Sequence, residues 1–130
     1  KQDYLMQKGD ILFSHINSLS HLGKVAQHNG SPDLYHGMNL LLIRANDKIE
    51  PEYLFLFLRS TAAKRFIWSH AKRAVAQCSI NTTELKKFMI AMPPELERKA
   101  ICNVFRDSEE CFKDFNRLIT GYINNFGRSS

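Results

Sequence analysis

The sequence predicts an α+β fold: a small mixed sheet with helices, followed by a long C-terminal helix of coiled-coil pattern. Three observations predict it. Short apolar runs, such as Ile11-Leu12-Phe13 and Met38 to Arg44, are bounded by Gly, Asn, Asp and Pro turn chemistry. Helical periodicity follows from Pro51 to His70. Beyond Pro93-Pro94, the positions Ile101, Phe105, Ser108, Phe112, Phe115, Ile119, Tyr122 and Phe126 are spaced 4, 3, 4, 3, 4, 3, 4. That is a heptad seam with one small polar residue, Ser108, inside it.

The elements follow in order. Gln7-Lys8-Gly9-Asp10 is a tight turn, and Ile11-Leu12-Phe13 is a strand with His15 near its end. The stretch Ile16 to Gly23 is polar at every second or third position and uncharged until Lys24. Its Asn17, Ser18 and His21 both donate and accept hydrogen bonds. Such a loop can read base edges, or it can cap its own turn; the residues alone leave both readings open. Lys24-Val25-Ala26 is a second strand, and His28 to Asp33 is a loop. Met38 to Arg44 reads as a strand buried on both faces.

Pro51 suits the first turn of a helix, with Glu50 and Glu52 at its positive end. Leu54, Phe57 and Leu58 point inward, and the pattern breaks near Ser60. It resumes from Thr61 to His70, with Phe66 and Ile67 inward and Lys64 and Arg65 outward. Lys72 to Ser79 is a basic loop without periodicity. Asn81 is placed as a helix N-cap, with Glu84 three residues on, a capping box in outline. Phe88-Met89-Ile90-Ala91 reads as a strand that Pro93-Pro94 ends.

The final helix has a wide apolar arc. Val104, Cys111 and Leu118 form a second row on its flank, and Arg106, Asp107, Glu109, Glu110, Lys113, Asp114 and Arg117 occupy the opposite face. One side of this arc is expected to lie on its own domain and the other on a second helix. The alternative is a terminal helix docked only on its own core, where the period drifts toward 3.6 rather than holding at 3.5.

The 130 residues are enough for one domain plus this extension: residues 1–92 and a helix over 93–127. No run is long and apolar enough to span a membrane. Cys78, Cys102 and Cys111 show no Cys-x-x-Cys spacing, which points away from disulfides and zinc and toward a reducing cytoplasm. The net charge of +5 lies wholly in residues 1–94, because residues 95–130 hold six basic and six acidic groups. Between Arg59 and Lys87 seven basic residues face one acid, Glu84. A polyanion partner requires a surface of this kind; a solvated helix face is the plainer account.

Catalytic chemistry is not evident. The five histidines lack metal-ligand spacing, and there is no Gly-rich phosphate loop, nucleophile elbow or convincing Cys–His pair. Met92-Pro93-Pro94-Glu95 resembles the Asn/Asp-Pro-Pro-aromatic motif of amino-methyltransferases. However, Met92 replaces the residue that would hold the amine, and Glu95 replaces the stacking aromatic. No catalytic residue, metal or cofactor is expected.

Several segments in order resemble the DNA specificity (S) subunit of type I restriction-modification enzymes. They are Gly9-Asp10-Ile11-Leu12-Phe13-Ser14 with its polar loop to Gly23-Lys24; Pro51-Glu52-Tyr53-Leu54 through Leu58-Arg59-Ser60; Gln77-Cys78-Ser79-Ile80-Asn81; and Pro93-Pro94-Glu95-Leu96-Glu97-Arg98-Lys99-Ala100-Ile101. Arg98 stands where the family usually has Gln. The likeness spans about residues 7–105.

The resemblance implies a non-catalytic module. In the family, each of two target recognition domains reads half of a split DNA site. Two long conserved helices pair antiparallel as a spacer, and methyltransferase (M) and restriction (R) subunits dock on the assembly. This chain matches one helix and the later part of one recognition domain. Asn17, Ser18, His21 and Lys24 are then one DNA-contact region, and Lys72, Arg73, Gln77 and Ser79 another. Lys64 and Arg65 neutralise phosphates. Phe105, Ser108, Phe112, Phe115, Ile119 and Tyr122 would form the spacer interface, with a second copy as partner in an antiparallel homodimer. A reading from another class is a coiled-coil docking module, a truncated copy without DNA recognition of its own.

Overall fold

The computed structural model describes residues 6–28, 40–105 and 109–128. The architecture is α+β, built on two three-stranded sheets. Strand β1 (Ile11–Ser14) is the centre of the first, between β3 (Val25–Gln27) and β4 (Leu40–Ile43). Its register pairs Leu12 with Ala26 on one side and with Leu42 on the other. The second sheet joins β2 (Ile16–Asn17), β6 (Cys78–Ser79) and β5 (Lys72–Arg73), in the order β2-β6-β5.

Every described pairing is antiparallel, which corrects the expected mixed sheet. A tight turn requires reversal only between β5 and β6; β1–β4 and β2–β6 close over stretches long enough for either direction, so theirs is a tertiary choice. Two more expectations are corrected. β4 is half-buried along its length rather than enclosed on both faces. Phe88 to Ala91 forms no strand: Phe88 and Ile90 pack inward and Met89 is exposed, so burial alternates without a ladder. A period of two reports which side chains face the core, not whether a neighbouring strand is present.

Helix α1 (Pro51–Leu58) lies at the centre of the core. Tyr53, Leu54, Leu56, Phe57 and Leu58 are all buried. One side packs with Ile11 of β1, and the other with Ile101, Cys102, Phe115 and Ile119. The Tyr53 hydroxyl donates to the Ala91 carbonyl at 2.5 Å, and burial pushes its pKa up. The start of α1 is also approached closely by the Gly9 turn. Gly9 has φ +92°, and a Cβ there would lie 3.1 Å from the Pro51 Cβ.

Ser60 breaks the helical run as the sequence predicts, and it caps α2 (Thr61–His70) by accepting from the Ala63 N–H. α3 (Thr82–Leu85) is capped by Asn81, whose Oδ1 accepts from the Glu84 N–H at 2.8 Å. The Glu84 carboxylate turns to Lys87 instead of closing a capping box.

The single helix expected over 93–127 is two helices among the described residues: α4 (Glu95–Phe105) and α5 (Glu109–Arg128). In one straight helix Phe105 and Phe115 would be about 15 Å apart. Their ring centroids are 6.1 Å apart, so α4 and α5 lie against each other. Phe115 and Ile119 are fully buried in the chain's own core, Phe105, Phe112 and Tyr122 are half-buried, and Ser108 lies outside the described residues. Val104 and Leu118, on the predicted second row, are exposed.

Polar contacts hold this arrangement. Arg98 of α4 is buried; it donates to Glu50 Oε1 at 2.7 Å and to the Pro93 carbonyl at 2.6 Å. Asn116 of α5 reaches the start of α2, accepting from the Thr61 N–H at 2.8 Å and donating to the Thr61 hydroxyl at 2.6 Å. Asp10, 1% exposed, accepts from the Gln7 N–H and from Arg44 through two bonds of 2.7 and 2.6 Å.

Two predictions follow from these contacts. Burial pushes the Asp10 carboxyl up, but the Arg44 and Gln7 hydrogen bonds and the charges of Arg44 and His28 outweigh it and leave it below the ordinary range. Glu50 is lowered by its bond to Arg98. Depressed carboxylates stabilise the fold above about pH 4, and that contribution disappears as pH falls through their lowered values. Urea midpoints should therefore drop steeply on acidification below about pH 4, and less steeply in Asp10→Asn. Gly23 has φ +84°, and a Cβ there would meet Ile67 Cδ1 at 2.8 Å. Gly23→Ala should cost about 1–3 kcal/mol in thermal unfolding; an unchanged melting temperature would contradict the packing of this loop on α2.

Candidate nucleic-acid interface

The segments that the sequence separates by some sixty residues meet in the second sheet. Ile16 pairs with Ser79 and Asn17 with Cys78, while Lys72 and Arg73 pair with the same two residues from the other side. At about 4.8 Å between strands, the Asn17 and Arg73 backbones are about 10 Å apart. The basic loop expected over 72–79 is thus a hairpin, closed by the Ala74 N–H on the Gln77 carbonyl at 3.0 Å. The Ile80 N–H bonds the His15 carbonyl at 3.0 Å and continues the junction. Cys78 and Ile80 anchor it in a core cluster with Phe13, Leu22 and Ile67.

The polar loop is organised by its own side chains. Asn17 Nδ2 donates to Ser14 Oγ at 3.1 Å, and its Oδ1 accepts from the Ser18 N–H at 2.8 Å. His21 Nδ1 lies 3.1 Å from Ser18 Oγ and 3.0 Å from Ser20 Oγ. The self-capping reading is observed, and it leaves these side chains open to a partner. The local bonds fix the rotamers, while Asn17, Ser18 and His21 remain exposed. Each amide and hydroxyl keeps donor or acceptor capacity beyond these bonds.

Three clefts run along this surface. Ser14, Asn17, Ser18 and Gln77 line one of about 390 Å³. Asn17, His21 and Lys24 line the next, of about 250 Å³. Ser20, Lys24, Lys64 and Trp68 line a third, of about 420 Å³. Neighbouring clefts share walls: Ser14 and Asn17 belong to the first two, and Lys24 and Val25 to the last two. Together they make a track of adjoining clefts, and no acidic residue lines it among the described residues.

Of the sequence-predicted contact residues, Asn17, Ser18, His21, Lys24, Lys64 and Gln77 line the track. Lys72 and Arg73 are exposed on the hairpin, and Arg73 Nη2 donates to the Trp68 carbonyl at 3.0 Å. Arg65 is exposed on α2 but lines none of the three clefts, and Ser79 is half-buried in the middle strand. Ser14, Ser20 and Trp68 line the track without having been predicted. For Trp68 a signal existed: it is four residues from Lys64 on one helix face, among the basic residues. For Ser14 none did, because its place depends on the Asn17 bond.

The track offers fixed hydrogen-bonding groups with cations along it. Among the described residues no three His, Cys, Asp or Glu side chains gather as a metal site requires, and no helix is long and apolar enough to cross a membrane.

Comparison with known proteins gives two matches. A family model described as the type I restriction modification DNA specificity domain matches residues 1–119. A putative type I restriction enzyme MjaX specificity subunit from Methanocaldococcus jannaschii is 49% identical over 118 residues, covering 89% of this chain and 28% of that protein. The chain thus spans little more than a quarter of the length of this relative.

Proposed function

The chain belongs to the type I restriction modification DNA specificity domain family, and from that premise we propose that it is a non-catalytic module that reads part of a split DNA target. The observation that carries this is the joining of the two polar segments, through β2, β6 and β5, beside adjoining clefts that no acid lines among the described residues. In this reading residues 1–92 are the later part of a recognition domain. Asn17 and Gln77 face adenine, which amide side chains bind in a bidentate way. Ser18, His21 and Ser79 add hydrogen bonds, and Arg73 prefers guanine. Lys24, Lys64, Arg65 and Lys72 neutralise phosphates, which position the protein without carrying sequence information. The partners are double-stranded DNA and, in the complete assembly, methyltransferase and restriction subunits.

Residues 93–127 serve in this reading as the spacer. Phe115 and Ile119 are committed to the chain's own core, so the surface left for a second conserved helix is the exposed Leu118 of α5 beside the half-buried Tyr122. A second copy laid antiparallel along that face of α5 would give the homodimer that a split, symmetric site requires.

Selection from a pool of random duplexes at two salt concentrations tests the reading. Enrichment of a split sequence is expected, with affinity falling steeply as salt rises. Lys64→Gln should lower the slope of log affinity against log salt by about one; a slope that stays flat in the wild type would leave only the docking-module reading. Leu118→Asp, at an exposed site, should shift sedimentation from dimer to monomer while the melting temperature holds.

A further inference from the structure

The third cleft holds more than the recognition residues require. Trp68, the one tryptophan of the chain, is 46% exposed and lies four residues from Lys64, so both project from one face of α2. Lys24 and Ser20 face them from the polar loop, and Gly23 lies between. No acid lines the cleft among the described residues. Three cations, Lys24, Lys64 and Arg59 (the last stacked over Phe112), beside an open aromatic ring suit a group with an anionic oxygen and a flat or C–H-rich face. At about 420 Å³ the cleft takes one such unit.

The cleft adjoins the others at Lys24 and Val25, which line both. What a duplex presents there is limited. Both faces of each base are covered by stacked neighbours, so the backbone side offers phosphate oxygens and the C–H face of the deoxyribose. An indole face is electron-rich and attracts C–H edges. Resting on the DNA reading above, we propose that this cleft grips one sugar–phosphate unit of the duplex, with Lys24 and Lys64 on the phosphate and Trp68 against the deoxyribose. The grip is independent of sequence and sets the register in which Asn17 and Gln77 meet the bases. The Arg73 bond to the Trp68 carbonyl ties it to the hairpin that carries Gln77.

The test uses the emission of the single tryptophan while the chain is titrated with preferred duplex, random duplex and single-stranded DNA. Emission should change with both duplexes. Trp68→Ala should weaken every duplex roughly tenfold, the scale of one aromatic–nucleotide contact. The ranking of sequences and the salt slope should stay unchanged, and Trp68→Phe should recover part of the loss. Gln77→Ala should change the ranking instead. If the wild type prefers one duplex sequence, yet emission stays flat and Trp68→Ala binds as tightly, the cleft proposal fails and the DNA reading stands. Tighter binding of single strands than duplex would also overturn it, since bases rather than sugars would then lie on the indole. If the wild type shows no salt-sensitive binding, both fail. Melting temperatures of the two Trp68 variants, and the wild-type emission itself, separate contact loss from misfolding.

Discussion

The structure depends on covering a helix that has almost no polar face. Five of the eight residues of α1 are buried, and they point to more than one side. Such a helix cannot lie on a surface. Here β1 covers one side and the α4–α5 pair covers the other. Its ends are held as well: the Gly9 turn approaches Pro51, Arg98 holds Glu50, and the Ser60 hydroxyl bonds the Phe57 carbonyl. The direction of every neighbouring element follows from that one requirement. Arg98 illustrates it. At a position where the resemblance leads one to expect Gln, it spans from α4 to the residue that starts α1, and burial makes its paired carboxylate obligatory.

The proposed DNA-facing surface is built differently. β2, β5 and β6 have two residues each, and a ladder that short is not stable by itself. It persists because Cys78 and Ile80 sit in a core cluster and because the Gly23 loop packs on Ile67. A rigid core with short, exposed segments on its margin is the usual division between what holds a fold and what reads a partner.

The C-terminal helices show the same apolar side chains answering two demands. A heptad seam specifies that Phe105, Phe112, Phe115, Ile119 and Tyr122 be buried, but not against what. Within one chain, α1 and α4 satisfy Phe115 and Ile119, and the Asn116 bonds to Thr61 lock α5 in place. Intramolecular packing has no concentration dependence, so a core position is filled from within the chain wherever geometry allows. Leu118 of α5 stays exposed beside that core.

Much of this was legible beforehand. The turn at Gly9, the Pro51 start, the break at Ser60, the Asn81 cap and the family itself were all readable, because each rests on local chemistry or on ordered motifs. The sequence alone also placed Leu54, Phe57 and Leu58 inward on α1, while the burial of Tyr53 and Leu56 emerged only from the packing on both sides. Tertiary structure decided the rest: that 95–105 and 109–128 are two packed helices, that Phe88 to Ala91 has no strand partner among the described residues, and that Asn17 and Gln77 line one cleft. The physical reason is common to all three. Periodicity and capping act over a few residues, whereas strand pairing, helix reversal and cleft formation depend on contacts between residues tens of positions apart, which no local pattern encodes.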